Sequence, residues 1–316
     1  MNKPFSQNVI AVIWDFDKTI VDGYMQKPLF EYYNIDGNKF WKEVNSLEEK
    51  YFKQGIRVNN DTIYLNHIIT CISQGIFPGL NNEILRKLGS KLDFYKGIPQ
   101  VLKEMADKIH NNADFRKHSI SVEHYIISTG LAEMIKGSNI FEYVKGIWGC
   151  EFIEDPIKSL LKEKDNREVK KRVITQVGYA IDNTSKTRAI FEINKGANLF
   201  HKKIDVNSRV IKEDRRVPFE NMIYIADGPS DVPVFSLLKQ NGGHTYAVYS
   251  KGDMNAFEKA NGLMNDERID SYGEADYSKN THTYMWLMLQ INNIAERIYQ
   301  LKEDVISKSV SSPPRH

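Results

Sequence analysis

The sequence predicts an α/β protein: a doubly wound parallel sheet, Rossmann-like in plan, with a block of helices inserted after its first strand. Three observations carry this. From Gly97 onward, short β-branched runs alternate with amphipathic helical patterns, as parallel strands joined by crossover helices require. Residues from about Gln26 to Tyr95 hold helical patterns and almost no strand signal. Three apolar runs stop abruptly at polar side chains, which is where open α/β sheets carry chemistry.

The 316 residues suffice for a large core and a smaller second domain. Hydrophobic residues make up 41% and charged residues 27%, and 43 basic against 41 acidic residues leave a net charge of +2. Neither nucleic acid nor an anionic membrane surface is expected as a partner of so balanced a chain. Cys71 and Cys150 have no CxxC spacing and no clustered histidines near them, which argues against a disulfide framework or zinc site. The apolar run after MNKPFSQN is too short for a signal segment, and no run approaches the ~18 apolar residues of a membrane span. The expectation is a soluble cytoplasmic protein.

The first strand is Val9–Trp14, short, apolar and β-branched. After Gly23 the texture turns helical. Residues 37–54 place Phe40, Trp41, Val44, Leu47, Tyr51 and Phe52 near helical spacing, forming the core of the inserted block. NDTIYLNHIITCIS starts a second helix capped at Asn60 or Asp61, and NNEILRKLGSKL starts a third at Asn81. Gly55, Gly75, Pro78 and Gly79 punctuate them.

Beyond Gly97 come the helix IPQVLKEMADKIHNN, the strand EHYIIS ending at Ser128, and the helix LAEMIKGSNIF. KGIWGCEFIED is a short strand, KSLLKEKDNREVKKR a solvated helix-prone stretch, and VITQVGYAI a hairpin strand outside the main sheet. TSKTRAIFEINKGA reads as a helix capped by Thr184 or Ser185, followed by the strands MIYIA and TYAVY. A last helix over about 280–308 is expected to pack on the sheet through Trp286, Leu289, Ile291, Ile294 and Ile298, ahead of the polar tail SVSSPPRH. The predicted division is a core of residues 1–22 and 95–316 with an inserted helical domain of residues 23–94.

The polar strand ends need one explanation. Asp15 and Asp17 close the first strand, Ser128 with Thr129 and Gly130 closes the second, and Asp227 with Gly228 and Asp231 follows MIYIA. Two carboxylates about 4 Å apart repel by on the order of 4 kcal/mol at an effective dielectric of about 20. A hard divalent cation removes most of that cost, and an oxygen-only set favours Mg²⁺ over Zn²⁺ while leaving room for water and a phosphate. One carboxylate can then attack phosphorus in line. A second, two residues on, can protonate the departing oxygen and later activate water, work worth roughly 10²–10⁴-fold. A hydroxyl and a lysine are wanted to hold the phosphoryl oxygens.

These residues carry a resemblance. DFDKT (Asp15 to Thr19) matches the first motif, DxDx[TV], of the haloacid dehalogenase-like (HAD) hydrolases. IISTG is similar to the second motif, Lys186 in TSKTRAIFEI to the third, and DGPSD to the acidic fourth, in the family's order. Ala226 stands where the family often has glycine, a small change that preserves close backbone approach. The helical block between the first two motifs resembles a C1-type cap, and the hairpin resembles the phosphoserine phosphatase-like members. The resemblance implies Asp15 as nucleophile and Asp17 as general acid/base. Ser128 and Lys186 would bind the phosphoryl group. Mg²⁺ would be held by Asp15, Asp227, Asp231 and the backbone carbonyl of Asp17.

Lys158, Lys170, Lys171 and Lys195 compete for the third motif, and the position before AIFEI favours Lys186. Thr19 is read as a neighbour of the nucleophile or a turn residue. Tyr24, Gln26 and His67 are candidate substrate contacts, and His118 and His124 are read as structural. Dehalogenase and phosphonatase-type members lack the second aspartate, so Asp17 argues for phosphate chemistry. An ion-pump reading of DKT would put the nucleophile at Asp17, but it needs threonine where Val21 stands.

The expected activity is Mg²⁺-dependent hydrolysis of a small phosphorylated metabolite through an aspartyl-phosphate. The alternatives are a phosphotransferase or mutase of the same superfamily, a receiver-like phospho-acceptor, and a binding protein that lost catalysis.

Overall fold

In the computed structural model, which describes residues 5–154, 156 and 172–310, Val9–Trp14 forms strand β1 with all six residues buried. A strand covered on both faces has no use for alternating polarity, and VIAVIW has none. The other strands are β2 (Ser121–Leu131), β3 (Val144–Ile153), β4 (Gln176–Tyr179), β5 (Met222–Ala226), β6 (His244–Tyr249) and β7 (Ser271–Glu274). Among the described residues they make one seven-stranded sheet in the order β4-β3-β2-β1-β5-β6-β7. Every pairing is parallel except β3 with β4. The chain moves outward from β1 through β2 and β3, then returns to β1's other side at β5. That reversal is a topological switch point, where a crevice opens at the strands' carboxyl ends.

Register fixes what meets in the crevice. Trp14 lies opposite Ile126 of β2 and Ile225 of β5. The residues just beyond therefore gather at the carboxyl ends of neighbouring strands: Asp15 and Asp17 after β1, Ser128 within the last part of β2, and Asp227 after β5.

Between β1 and β2 run α1 (Lys27–Tyr32), α2 (Gly37–Phe52), α3 (Ile63–Ser73), α4 (Asn82–Gly89), α5 (Gln100–Asn111) and α6 (Ala113–Lys117). Asp36 caps α2 by accepting from the Asn38 and Lys39 amides, and Asn81 caps α4 through the Ile84 amide. Helix α3 starts at Ile63 rather than at Asn60 or Asp61, because the Asp61 carboxylate is engaged by Asn183 and caps nothing. The helices α1–α3 share an aromatic core in which Phe30 lies 4.9 Å from Phe40, and Phe40 5.4 Å from Trp41.

The remaining helices are α7 (Ala132–Lys136), α8 (Lys186–Lys195), α9 (Val232–Gln240), α10 (Met254–Asn265) and α11 (His282–Val310). Helix α11 buries Leu287, Ile291, Ile294 and Ile298, a stripe at helical spacing. Burial of each such side chain is worth about 1.5–3 kcal/mol. Leu289 falls off that stripe and is 55% exposed. No helix among the described residues is long and apolar enough to cross a membrane.

Several expectations change. Strand β2 runs on to Leu131 rather than stopping at Ser128, and the helix expected over 131–141 shrinks to α7 and a 3₁₀ turn at Phe141–Tyr143. The hairpin strand is not outside the sheet: β4 pairs antiparallel with the end of β3, opposite Glu151, Phe152 and Ile153. The stretch KSLLKEKDNREVKKR falls, apart from Arg172, outside the described residues, as do positions 311–316 of the tail.

Candidate active site

Past Trp14 the ladder extends by one residue, the Asp15 amide donating to the Ile225 carbonyl at 2.8 Å. The chain then folds tightly on Phe16, whose carbonyl accepts from the amides of Thr19, Ile20 and Val21. This turn brings the Thr19 hydroxyl to Oδ2 of Asp15 at 3.0 Å. Thr19 therefore fits both of its readings, its amide closing the turn on Phe16 and its hydroxyl neighbouring Asp15. The Asp17 carboxylate bends the other way and accepts from the Met25 amide at 2.9 Å.

Lys186 opens α8. Its approach is set by a reciprocal pair in which the Asp182 amide donates to the Ser185 hydroxyl and the Ser185 amide to the Asp182 carboxylate, each at 2.7 Å. The Lys186 ammonium is buried, 2.8 Å from Oδ1 of Asp15 and 2.7 Å from Oδ1 of Asp231. Lys195 is ruled out as its rival because its ammonium sits on the Val206 and Ser208 carbonyls. Lys158, Lys170 and Lys171 lie outside the described residues.

Asp231 is fully buried and also accepts from Tyr224 and Ser230. Ser128 is buried, its hydroxyl accepting from the Gly130 amide at 3.0 Å. A Cβ at Gly130 would sit 2.2 Å from Cε and 2.6 Å from Sδ of Met25, so any side chain there would have to displace the end of that methionine.

The structure thus gathers Asp15, Asp227, Asp231 and Lys186. One carboxylate oxygen from each of Asp15, Asp227 and Asp231 lies within 4.8 Å of the others. The Asp17 side chain is not part of that group. Burial pushes Asp15 up to about 6, with Lys186 pulling against it and Asp231 adding to it. Burial, then the charge of Asp15, pushes Asp227 up to about 7 and Asp17 up to about 8. Burial acts to lower the Lys186 amine, but the carboxylates of Asp15 and Asp231 more than reverse this, leaving it above the ordinary lysine range. Three crowded oxygen donors, two of them reluctant to ionise together, suit a hard divalent cation.

The helical block makes contacts with the segments that carry these groups. Tyr64 of α3 is buried and donates to the Thr129 carbonyl at 2.7 Å, and its ring lies 5.7 Å from Trp41. Asp61 accepts from the Asn183 amide at 3.1 Å and side chain at 3.0 Å, and Asn59 donates to Asp182 at 3.0 Å. The block is thereby tied to the loop that delivers Lys186.

Sequence reasoning missed Tyr64, Asp61, Asn183 and Tyr224. Only Tyr224 left a signal, a hydroxyl in the otherwise apolar run MIYIA. Of the candidate contacts, Tyr24 is half-exposed beside Trp41, Gln26 is buried with an unpartnered carbonyl oxygen, and His67 is buried 3.5 Å from Glu43. His118 bonds Glu303, while His124 lies between the Trp14 indole and the Leu102 carbonyl.

No family model matches the chain. A Borreliella burgdorferi protein described as "Uncharacterized protein" is 40% identical over 289 residues, spanning 90% of this chain and 97% of that one. Solved structures with similarity include a phospho-aspartyl intermediate analogue of phosphoserine phosphatase, with a TM-score of 0.47 at 14% identity over 84% of this chain and 93% of that one. A HAD family hydrolase of Salmonella enterica serovar Typhi has a TM-score of 0.47 at 13% identity over 86% and 68% of the two chains. A dehalogenase intermediate complex has a TM-score of 0.41 at 9% identity over 89% and 97%.

Proposed function

We propose that this chain, a member of the family of the Borreliella burgdorferi protein, has a haloacid dehalogenase-like fold and is a metal-dependent phosphatase acting on a small phosphomonoester. One observation carries the reading. Asp15 is buried at the end of β1 and paired with Lys186, while Asp17, two residues on, is held apart from that pair at the Met25 amide. Two carboxyls in separate environments can take separate roles.

Asp15 is the nucleophile. Thr19 and Lys186 each hold one of its oxygens, so the carboxylate is oriented before substrate arrives. As Asp15 bonds to phosphorus, the bond to the leaving oxygen breaks and Asp17 supplies its proton. A carboxyl pushed up to about 8 still carries that proton near neutral pH. Asp17 then takes a proton from water, which attacks phosphorus and frees Asp15. Lys186 uses two of its three N–H groups on Asp15 and Asp231, so the third is available to a phosphoryl oxygen, and the Ser128 hydroxyl supplies a second donor.

Asp15, Asp227 and Asp231, with the Asp17 carbonyl, are the residues that would hold Mg²⁺. A bound divalent cation would offset their repulsion and draw charge from the phosphoryl oxygens. We read residues 23–94 as a cap that excludes water, supported by the Tyr64, Asn59 and Asp61 contacts to the core.

The test is phosphate release from p-nitrophenyl phosphate and a panel of small phosphomonoesters, with and without Mg²⁺. The reading expects Mg²⁺-dependent release that Asp15→Asn abolishes, and absence of release from every ester would reject it. Transfer to an added alcohol in preference to water would instead identify a phosphotransferase.

A further inference from the structure

Lys18 follows the proposed acid Asp17 and has a backbone φ of 56°, a left-handed conformation that a side-chain-bearing residue adopts reluctantly. Its amide donates to the Gly23 carbonyl at 2.9 Å, which closes the turn and fixes the direction of the side chain. The Lys18 ammonium lies 4.3 Å from the centroid of the Tyr24 ring. That ring in turn leans on Trp41 of α2 at 5.8 Å. Lys18 is half-buried, Tyr24 is 48% exposed, and among the described residues the ammonium has no carboxylate within ion-pair distance. Its charge nonetheless acts on both Asp17 and Asp227. A cation is therefore held on an aromatic platform at the edge of the site, beside the residue that meets the leaving oxygen. Backbone held in sparsely populated conformations clusters at functional sites, and here it presents a cation that rests on Tyr24 and not on a carboxylate.

Resting on the phosphatase reading, we propose that Lys18, carried on Tyr24, selects substrates by the charge of their leaving group. The site takes a phosphomonoester whose alcohol portion bears a second anionic group, a carboxylate or another phosphate. On the phosphatase reading, the transferred phosphoryl group has Lys186, which is paired with Asp15, and the Ser128 hydroxyl as its donors. Lys18 stands next to Asp17, so what it meets is the part of the substrate that departs.

The experiment compares the full-length protein with Lys18→Gln, Lys18→Arg and Lys18→Gly on four esters in the presence of Mg²⁺. 3-Phosphoglycerate carries a carboxylate and fructose 1,6-bisphosphate a second phosphate. Glycerol 3-phosphate and p-nitrophenyl phosphate carry neither. Lys18→Gln is expected to raise KM roughly tenfold on at least one charged ester and less than about twofold on the uncharged ones, with kcat little changed. Lys18→Arg should keep the preference. Lys18→Gly should lose it while melting at a higher temperature than wild type, because glycine relieves the left-handed backbone. That combination separates a role in recognition from one in holding the turn.

An equal rise in KM on all four esters would place Lys18 on the transferred phosphate and overturn the proposal. So would unchanged KM values, or a wild-type protein that treats charged and uncharged esters alike. If the wild type hydrolysed none of the four, the phosphatase reading itself would fall and this inference with it.

Discussion

The Lys186 ammonium lies 2.8 Å from Oδ1 of Asp15 with both side chains buried, so a residue on α8 fixes the one that ends β1. The same nitrogen reaches Asp231, making Lys186 the charge that lets two buried carboxylates coexist. Lys186→Met should cost about 3–5 kcal/mol of stability, since uncompensated buried charges are left behind. Its activity loss should exceed what the stability change explains. Urea unfolding with and without Mg²⁺ checks this: the deficit should shrink when the cation is present. A variant as stable as wild type would mean that the pair is not held as described.

Stability should fall as pH rises in the metal-free protein. Asp15, Asp227 and Asp17 are pushed up to about 6, 7 and 8 from an ordinary 3.8. The folded state therefore holds protons that the unfolded chain has released. Such groups contribute stability that is complete below about pH 4 and is lost as pH climbs through the folded values, mostly between about pH 5 and 8. Melting curves in a chelator should shift downward over that window, and Mg²⁺ should restore the loss at its upper end. Pairing with Lys186 opposes the trend for Asp15, so a flat profile would show that this pairing outweighs burial throughout the site.

Gly130→Ala should destabilise by about 1–3 kcal/mol, because the new methyl meets Met25 and crowds the Ser128 hydroxyl. The sulfur of Met25 also accepts from the Leu131 amide at 3.0 Å, so displacing it breaks a link between the two strand ends. Combining Gly130→Ala with Met25→Ala should cost less than the sum of the two changes. Additive costs, read from chemical denaturation, would mean the two residues do not touch.

The Asp61 to Asn183 contact should control how tightly the helical block sits on the Lys186 loop. Asp61→Ala loses two hydrogen bonds to a carboxylate, each worth about 1.5–3 kcal/mol at most, whereas Asn183→Ala loses only the side-chain one and keeps the backbone amide as donor, so its effects should be smaller. Both variants should show faster amide exchange over residues 181–186 and a raised KM, and the double variant should be no worse than Asp61→Ala alone. Unchanged exchange would place the closure elsewhere.

What the sequence could and could not reveal follows from how each element is stabilised. Strand β1 and the polar ends of β1, β2 and β5 were legible because fully buried strands are apolar runs and their ends are abrupt. Strand β7 was not legible: SYGE is four residues at a sheet edge with one buried position, too short to carry a period. Helix α1 was not legible either, because its six residues, beginning Lys-Pro, are too few to show a helical period. Lys186 could be favoured over its rivals by position, whereas its bridge between Asp15 and Asp231 required the fold. Asp61 looked like a helix cap because capping and tertiary hydrogen bonding use the same residue types. Leu289 shows the reverse error, an apolar residue near helical spacing that lies one position off the buried stripe.

The central claim is that Asp15 takes the phosphoryl group and Asp17 moves the proton, and mixing Asp17→Asn with p-nitrophenyl phosphate and Mg²⁺ tests it most directly. Nitrophenolate leaves without an acid, but water cannot attack without a base. The expected result is a burst of about one nitrophenolate per protein followed by a stall, with the mass of one phosphoryl group appearing on the peptide that contains Asp15. Asp15→Asn should show neither. Steady turnover by Asp15→Asn, or a phosphoryl group carried by a different residue in Asp17→Asn, would contradict the account.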